Sequence, residues 1–532
     1  MAPLDPSATS RSNAYPLGVF SSQALVVAGL SAYLVRTIRR AARSLPPPTS
    51  TRAQQPLRDR HAALFAGLAF FSIAAVSTFS AAWRILSYFD WAEQRNHEAP
   101  GSLWTGWYGT GEEGVGRWRL GDWFSDVDLI AESDALSVGS TEGFLYTSQH
   151  AVGLAAAAIF FGVEGRRRNL SNKTIAAFVS LSLVGSLGYA LNLFFVTILF
   201  TPVALHSEDT LKHNALFAPK PVFLYTPVVA SFVALLYLPT LIAGGANLTA
   251  VRIGYYAIPF YLAFAPQIIP ASWGQQHATK EAAHRSFART FWVLGLTSFG
   301  LCWDLFATII AANTPPEQTS VYDLFKNAMG KQDSSNRFLQ GLGNAAQQLK
   351  HVSKHPVISI TGTDVFFTVT GLLAWTFVRN LEIDDILDNS LLWYFSSSQK
   401  EKHVAFTKEV AEVADVVEKK VEEELPPTTP KRRGRPKKGT SNGAGTPAPA
   451  AGSVRRSTRR KARSDFESDA ESAYEPPTNA VKEVKQTETD GASVEDLVAG
   501  GESTALTLLL TFLGGLGQLA AGVLGAEVIG SS

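Results

Sequence analysis

Four carboxylic acids stand where a carboxylic acid is expensive. Asp304 lies in Leu301-Cys302-Trp303-Asp304-Leu305-Phe306, and Asp364 lies in Thr361-Gly362-Thr363-Asp364-Val365-Phe366-Phe367. Asp90 ends a second long apolar run and Glu164 ends a third, which begins with Gln149 and His150. Ionisable groups inside a membrane-spanning run are costly and usually mark function. A carboxyl group shielded from water can keep its proton near neutral pH and serve as a general acid. The competing role is structural, in which such groups only hydrogen-bond neighbouring helices. For Asp304 and Asp364 both readings stand. Glu164 precedes Arg166, Arg167 and Arg168 and reads first as an ion-pair partner.

Two further patterns have a mechanism. Asp384-Asp385-Ile386-Leu387-Asp388 has the DDxxD spacing that can hold Mg²⁺ against a diphosphate. It directly follows an apolar run and has no second metal motif beside it, so it reads first as a solvated helix end. Lys431-Arg432-Arg433-Gly434-Arg435-Pro436-Lys437-Lys438 resembles an AT-hook. Gly434 would let the backbone approach the floor of an A·T-rich minor groove and Pro436 would hold an extended path. Arg433 and Arg435 would meet the negative potential of the narrow groove. A short basic run also serves as an import signal or a contact for anionic lipid. There is no P-loop, dinucleotide fingerprint, HExxH or GxSxG.

These residues need elements to hold them. Hydrophobic residues make up 46% of the 532 and charged ones 17%, and the charges gather in loops and between 400 and 500. That pattern predicts an all-α polytopic bundle, with candidate spans at 17–35, 62–88, 144–163, 174–203, 221–243, 253–271, 290–313, 359–378 and 504–526. The run 253–271 carries Pro259, Pro266 and Pro270 and is the one expected to turn back without crossing. Seven crossings then precede the tail. Arg36, Arg39, Arg40, Arg43, Arg52, Arg58 and Arg60 follow the first run, and Arg166–Arg168 with Lys173 follow the third. The positive-inside rule places both loops, and the tail, in the cytosol. The acidic, tryptophan-rich stretch 89–143 falls opposite, where its Trp residues cap the bundle or form an aromatic belt. A single cysteine, Cys302, excludes an intrachain disulfide.

Four regions result: a bundle over 1–380, a charged helical segment over 381–425, a basic then acidic segment over 426–503 and an apolar helix over 504–526. Residues 426–463 contain twelve Lys/Arg and no acid, followed by acidic Ser-Asp repeats. Such a composition buries too little apolar surface to order itself. Gly514, Gly515, Gly517, Gly522 and Gly525 in the last region permit close helix contact.

Ser87-Tyr88-Phe89-Asp90-Trp91-Ala92, Tyr146-Thr147-Ser148-Gln149-His150, Phe160-Phe161-Gly162-Val163-Glu164-Gly165-Arg166-Arg167 and Ala190-Leu191-Asn192-Leu193-Phe194 set a pattern, together with Arg39 to Pro48 and the glycine-rich end. It resembles a fungal family of membrane-bound terpene cyclases of the ascofuranone type, which act in meroterpenoid biosynthesis. The resemblance covers roughly 15–380 and 503–530, and the insertion at 400–500 departs from it. It implies a bundle enclosing an apolar pocket in which an acid protonates the prenyl chain of an aromatic or polyketide precursor and the chain cyclises. The acid would be Asp304 or Asp364, with Asp90 and Glu164 in reserve. Trp303, Phe306, Phe366, Phe367 and Asn192 would line the pocket, aromatic faces stabilising the cation. No metal or cofactor is implied. The partners would be the lipid bilayer, a prenylated small molecule, and weakly a nucleic acid or anionic lipid through 431–463. The endoplasmic reticulum or nuclear envelope would house such a protein. A membrane tether for A·T-rich DNA and a non-catalytic transport protein are the alternatives.

Overall fold

The computed structural model describes residues 11–44, 55–97, 118–201, 216–246, 248–277, 280–314, 334–396 and 494–529. It is the expected all-α bundle, relieved among the described residues by one antiparallel pair of three-residue strands, β1 (Phe217–Pro219) and β2 (Gly274–Gln276). The helices are α1 (Ala14–Ser44), α2 (Gln55–Gln94), α3 (Leu120–Asp126), α4 (Leu129–Val138), α5 (Thr141–Arg167), α6 (Asn172–Val184), α7 (Leu187–Phe200), α8 (Val222–Ala243) and α9 (Thr249–Ile268). They continue with α10 (Lys280–Asn313), α11 (Ser334–Val352), α12 (Pro356–Arg379), α13 (Ile383–Asp388) and α14 (Val494–Ile529). By length and composition, seven of the described helices can cross a membrane: α1, α2, α5, α8, α10, α12 and α14.

Helix α5 is the axis of the bundle, and every residue from Val152 to Arg167 is buried. Small side chains make this possible, since a Cβ added at Gly162 would collide with the backbone of Ala263 on α9. Close backbone approach of this kind supplies the van der Waals contact that holds helices together where lipid removes the hydrophobic drive. Phe160, Phe161, Phe178, Phe194 and Phe195 interlock around α5, and Phe195 stacks on Trp375 at 4.3 Å.

Contacts at the helix ends fix which way each element runs. The N-terminal end of α5 marks one face of the bundle and its C-terminal end the other. At the N-face, Asn13 Nδ2 donates to Trp118 O at 2.8 Å, Ser87 Oγ donates to Glu132 at 2.8 Å, and Arg252 pairs with Asp134 at 2.6 Å. At the C-face, the Tyr33 and Thr174 hydroxyls meet at 3.1 Å, and Gln267 Nε2 donates to Asn172 at 2.9 Å. Helix α9 therefore runs the full distance from Arg252 to Gln267, against the expectation that 253–271 turns back. Its prolines each remove one N–H but do not break the helix, and Pro259 and Pro266 are buried in it.

The segment that turns back lies in the fourth run, between Asn172 and Phe200. Helix α6 enters from the C-face and stops at Gly185-Ser186, and α7 returns, since Arg168 Nη1 donates to Ile198 O at 3.2 Å. The last helix does the same. Gly514 and Gly515 leave helical geometry, with Gly515 at φ +67°. A Cβ on Gly522 would touch the Leu510 side chain, although a straight helix would hold these residues ~18 Å apart. Gly500 lies against Phe377 and Asn380, while Glu527 pairs with Arg379 at 3.2 Å. Both arms of α14 thus end at the C-face. Among the described residues, seven helices traverse the bundle (α1, α2, α5, α8, α9, α10 and α12), and two hairpins enter it from the C-face.

At the N-face, Tyr88, Trp91, Trp118 and Trp123 are buried together and close the bundle as a packed cap. Trp104, Trp107, the segment 397–493 with its basic stretch 431–463, and the Arg433-Gly434-Arg435-Pro436 motif lie outside the described residues.

Candidate functional site

The tip of the α6–α7 hairpin meets Asp364. Breaking a helix at Gly185-Ser186 exposes the first N–H groups of α7, and inside a membrane each must find a partner. Asp364, one-third of the way along α12, supplies it. Its Oδ1 accepts from Ser186 Oγ at 2.6 Å and Gly188 N at 2.7 Å, and its Oδ2 accepts from Leu187 N at 2.8 Å. Ser186 Oγ in turn accepts from Tyr189 N at 3.1 Å and lies 2.7 Å from the Ser72 hydroxyl of α2. The positive end of the α7 dipole adds to the attraction for a negative group. The fourth contact of the carboxyl is His150 Nε2, 3.1 Å from Oδ2. Three hydrogen-bond donors and an imidazole converge on two oxygens, the arrangement an ionised carboxylate takes.

His150 sits on a stretch of α5 that is less closed than the rest of the helix. Tyr146, Thr147, His150 and Ala151 are half-buried, whereas α5 is closed from Val152 onward. The other ring nitrogen, Nδ1, lies 3.4 Å from the hydroxyl of Tyr255 on α9. Asp364, His150 and Tyr255 therefore form a carboxylate–imidazole–phenol row, buried at the first end and 37% exposed at the last. Helices α9 and α12 flank α5 here, with Tyr146 beside Gly362 of α12 and Phe366 exposed on its outer face. The carboxylate fixes the ring orientation and the opposite nitrogen faces the Tyr255 hydroxyl, the relation that orients a general acid–base histidine.

The second hairpin tip meets the same stretch of α5 one residue earlier. Gln149 Oε1 accepts from Leu516 N at 2.7 Å. Ser298 Oγ donates to Gly514 O at 2.9 Å, and Trp303 Nε1 donates to Leu513 O at 2.7 Å. Side chains of α5 and α10 thus satisfy the backbone groups that the break frees. Gln149 Nε2 is buried with no partner.

The four carboxylates proposed as acids do not come together. Asp304 is on the exposed side of α10, and Asp90 is exposed near the end of α2. Glu164 is fully buried at the C-face, 3.1 Å from Arg167 and 3.3 Å from Arg168, beside Glu527, which accepts from Trp375 and Arg379. That network ties the end of α14 to α5 and α12. Of the pocket candidates, Phe367 packs at Gly188 next to Asp364, and Asn192 is buried one turn along α7, its Nδ2 donating to Gly188 O at 2.7 Å. Phe366 is exposed on α12. Trp303 serves the α14 tip and Phe306 is half-buried against the core. Asp384, Asp385 and Asp388 lie on the six-residue α13 packed against α14, and among the described residues no group of three His, Cys, Asp or Glu is placed to hold a metal.

No family model, curated protein or solved structure matches the chain. The case for function therefore rests on the chain's own geometry. Sequence reasoning reached Asp364 but not its partners. Ser186 and Tyr255 carried no motif, and His150 stood out only as the start of a span. The available signal was Gly185-Ser186 in the middle of a thirty-residue apolar run, too long for one crossing and broken where a helix would not be.

Proposed function

We propose that the protein is a multi-pass membrane enzyme in which His150 delivers and recovers a proton. Asp364 orients the ring and Tyr255 stands at the open side. The row Asp364–His150–Tyr255 on the open stretch of α5 carries this reading. Asp364 has its oxygens engaged by the α7 N-terminus, which makes His150 a better donor than the carboxyl itself. The row lies among membrane-crossing helices, with Tyr255 at its exposed end, so the substrate is an amphiphile that arrives dissolved in the bilayer. Prenyl cyclisation is the finer reading, and its support is the sequence resemblance. His150, acting as general acid, gives a proton to the epoxide oxygen of an epoxidised prenyl chain as the C–O bond opens. The carbocation so formed is attacked by a further alkene or hydroxyl, which closes a ring. A proton lost from the product cation returns to the imidazole. Substrate and product are isomers. The same reading places the protein in the endoplasmic reticulum or nuclear envelope.

A second reading is supported by the two hairpins. Discontinuous helices whose tips meet in mid-membrane build the substrate sites of many transporters, and a His–Asp pair suits proton coupling. The two readings separate in one experiment. Membranes holding the full chain are given prenylated phenols and their epoxides, and products are resolved by mass and retention. A new compound of unchanged mass supports the enzyme. Unchanged substrate that accumulates inside proteoliposomes under an imposed pH gradient supports transport and contradicts the enzyme. Contact with A·T-rich DNA rests on Arg433, Gly434, Arg435 and Pro436 alone.

A further inference from the structure

Helix α11 is unlike the helices that cross. It is 19 residues long, and its apolar residues Phe338, Leu342, Ala345, Leu349 and Val352 recur at helical spacing. It lies at the N-face, where Asn344 Nδ2 donates to Asn313 O at the end of α10 at 3.2 Å, and the turn after it leads directly into α12. Its C-terminal half is docked, with Ala345 buried and Leu349 against the core. Its N-terminal half overhangs. Phe338 is 55% exposed, Leu339 60% and Leu342 45%. Phe338 and Leu342, one turn apart on the apolar stripe, with Leu339 beside them, are largely uncovered by the described residues.

The charge on this stretch has one sign. From Ser334 to Pro356 there is no Asp or Glu, while Arg337, Lys350 and Lys354 are basic. Lys350 and Lys354 are exposed beyond the docked half. An amphipathic helix with apolar side chains to one side and cations to the other binds in the plane of a membrane surface. Cations near that surface are drawn to anionic headgroups.

We propose that α11 lies in the bilayer interface at the N-face, with Phe338 and Leu342 among the acyl chains and Lys350 and Lys354 on anionic phospholipid headgroups. The occupant of the uncovered face is lipid, because the helix sits where the crossing helices α10 and α12 reach the surface and because the exposed Lys350 and Lys354 have no acid on their own segment. The inference is independent of the chemistry assigned to His150.

The test uses the full chain in lipid nanodiscs, with Cys302→Ser removing the native thiol and a nitroxide attached at Leu342→Cys or, separately, Phe338→Cys. Accessibility to oxygen and to a water-soluble nickel chelate is read in discs of phosphatidylcholine alone and in discs containing phosphatidylglycerol. The expected result is a label open to oxygen and closed to nickel, more fully so with the anionic lipid. Lys350→Gln and Lys354→Gln should each reduce the anionic preference by roughly fivefold. A label open to nickel would place the helix in water and overturn the proposal. A label closed to both reagents would mean that protein covers it, from this chain or a second copy, and would overturn it equally. Equal embedding in both lipids, unchanged by the lysine variants, would remove the headgroup contact.

Discussion

Replacing Asp364 by Asn keeps the shape of the side chain and removes one of its two acceptor oxygens. The carboxylate has Ser186 Oγ and Gly188 N on Oδ1, and Leu187 N and His150 Nε2 on Oδ2. The amide oxygen can keep the first pair. The amide nitrogen then faces the second pair, where it can donate to His150 if that ring turns a lone pair toward it. The Leu187 N–H is left with no partner in a buried site. Losing a charge-assisted bond costs about 1.5–3 kcal/mol, and a stranded buried donor costs about 1–3 kcal/mol. Their sum, less about 1 kcal/mol for the new bond to His150, predicts a destabilisation of about 1.5–5 kcal/mol. Ser186→Ala removes one bond to Asp364 and the cap of α7, and should cost about 1–2 kcal/mol. Because the two residues share one network, the double variant should lose less than the sum by at least about 0.5 kcal/mol. Detergent-purified protein unfolded by heat or by increasing dodecyl sulfate gives all three values. An Asp364→Asn protein within about 0.5 kcal/mol of the parent, the ordinary scatter of a surface change, would refute the capped hairpin tip.

Gly515 holds φ +67° and ψ −159°, a region closed to side chains at a cost of about 1–3 kcal/mol. Gly515→Ala would also push into Gln149, so its unfolding transition should fall well below that of Gly501→Ala, where nothing lies near. Single cysteines in 169–172 and in 202–215, placed in a Cys302→Ser background, should be labelled from the same side of sealed vesicles. Opposite sides would turn α6–α7 into a crossing. A peptide covering 426–465, with its twelve cations, should bind nucleic acid with steep salt dependence. The AT-hook reading further requires preference for A·T-rich over G·C-rich duplex at equal salt, and fluorescence anisotropy showing equal affinity would remove it.

The all-α bundle was legible because spans of about 20 apolar residues can be counted. The two turning points were not, for a physical reason. Hydropathy records that a segment is apolar, and a half-length helix beside another half-length helix is as apolar as one crossing. Pro259 and Pro266 looked like breaks and are carried inside an intact α9, whereas Gly185-Ser186 looked unremarkable and is the break. Proline costs one donor, but a helix ends where side chains elsewhere can take over its free backbone groups, and Asp364 does so from 176 residues away in the chain at Gly188. The site was half legible for the same reason. A carboxylate in an apolar run is visible by itself. Its meaning comes from what it touches, and His150, Ser186 and Tyr255 reach Asp364 or its partner only through the fold. Glu164 is the opposite case: its arginine partners are its neighbours in sequence and were read correctly as neighbours in space.

The most direct measurement is the conversion of a prenylated phenol or its epoxide by membranes that hold equal amounts of folded wild-type, His150→Gln and Asp304→Asn protein. His150 is on the open stretch of α5, with one contact to Asp364 and one to Tyr255, so its loss should spare the fold. General acid catalysis contributes ~10²–10⁴-fold, and the account predicts that His150→Gln lowers isomer formation by that factor while Asp304→Asn, changed on an exposed helix face, keeps the parental rate. An active wild type with full activity in His150→Gln, or with its activity lost in Asp304→Asn, would contradict the assignment of the proton to His150.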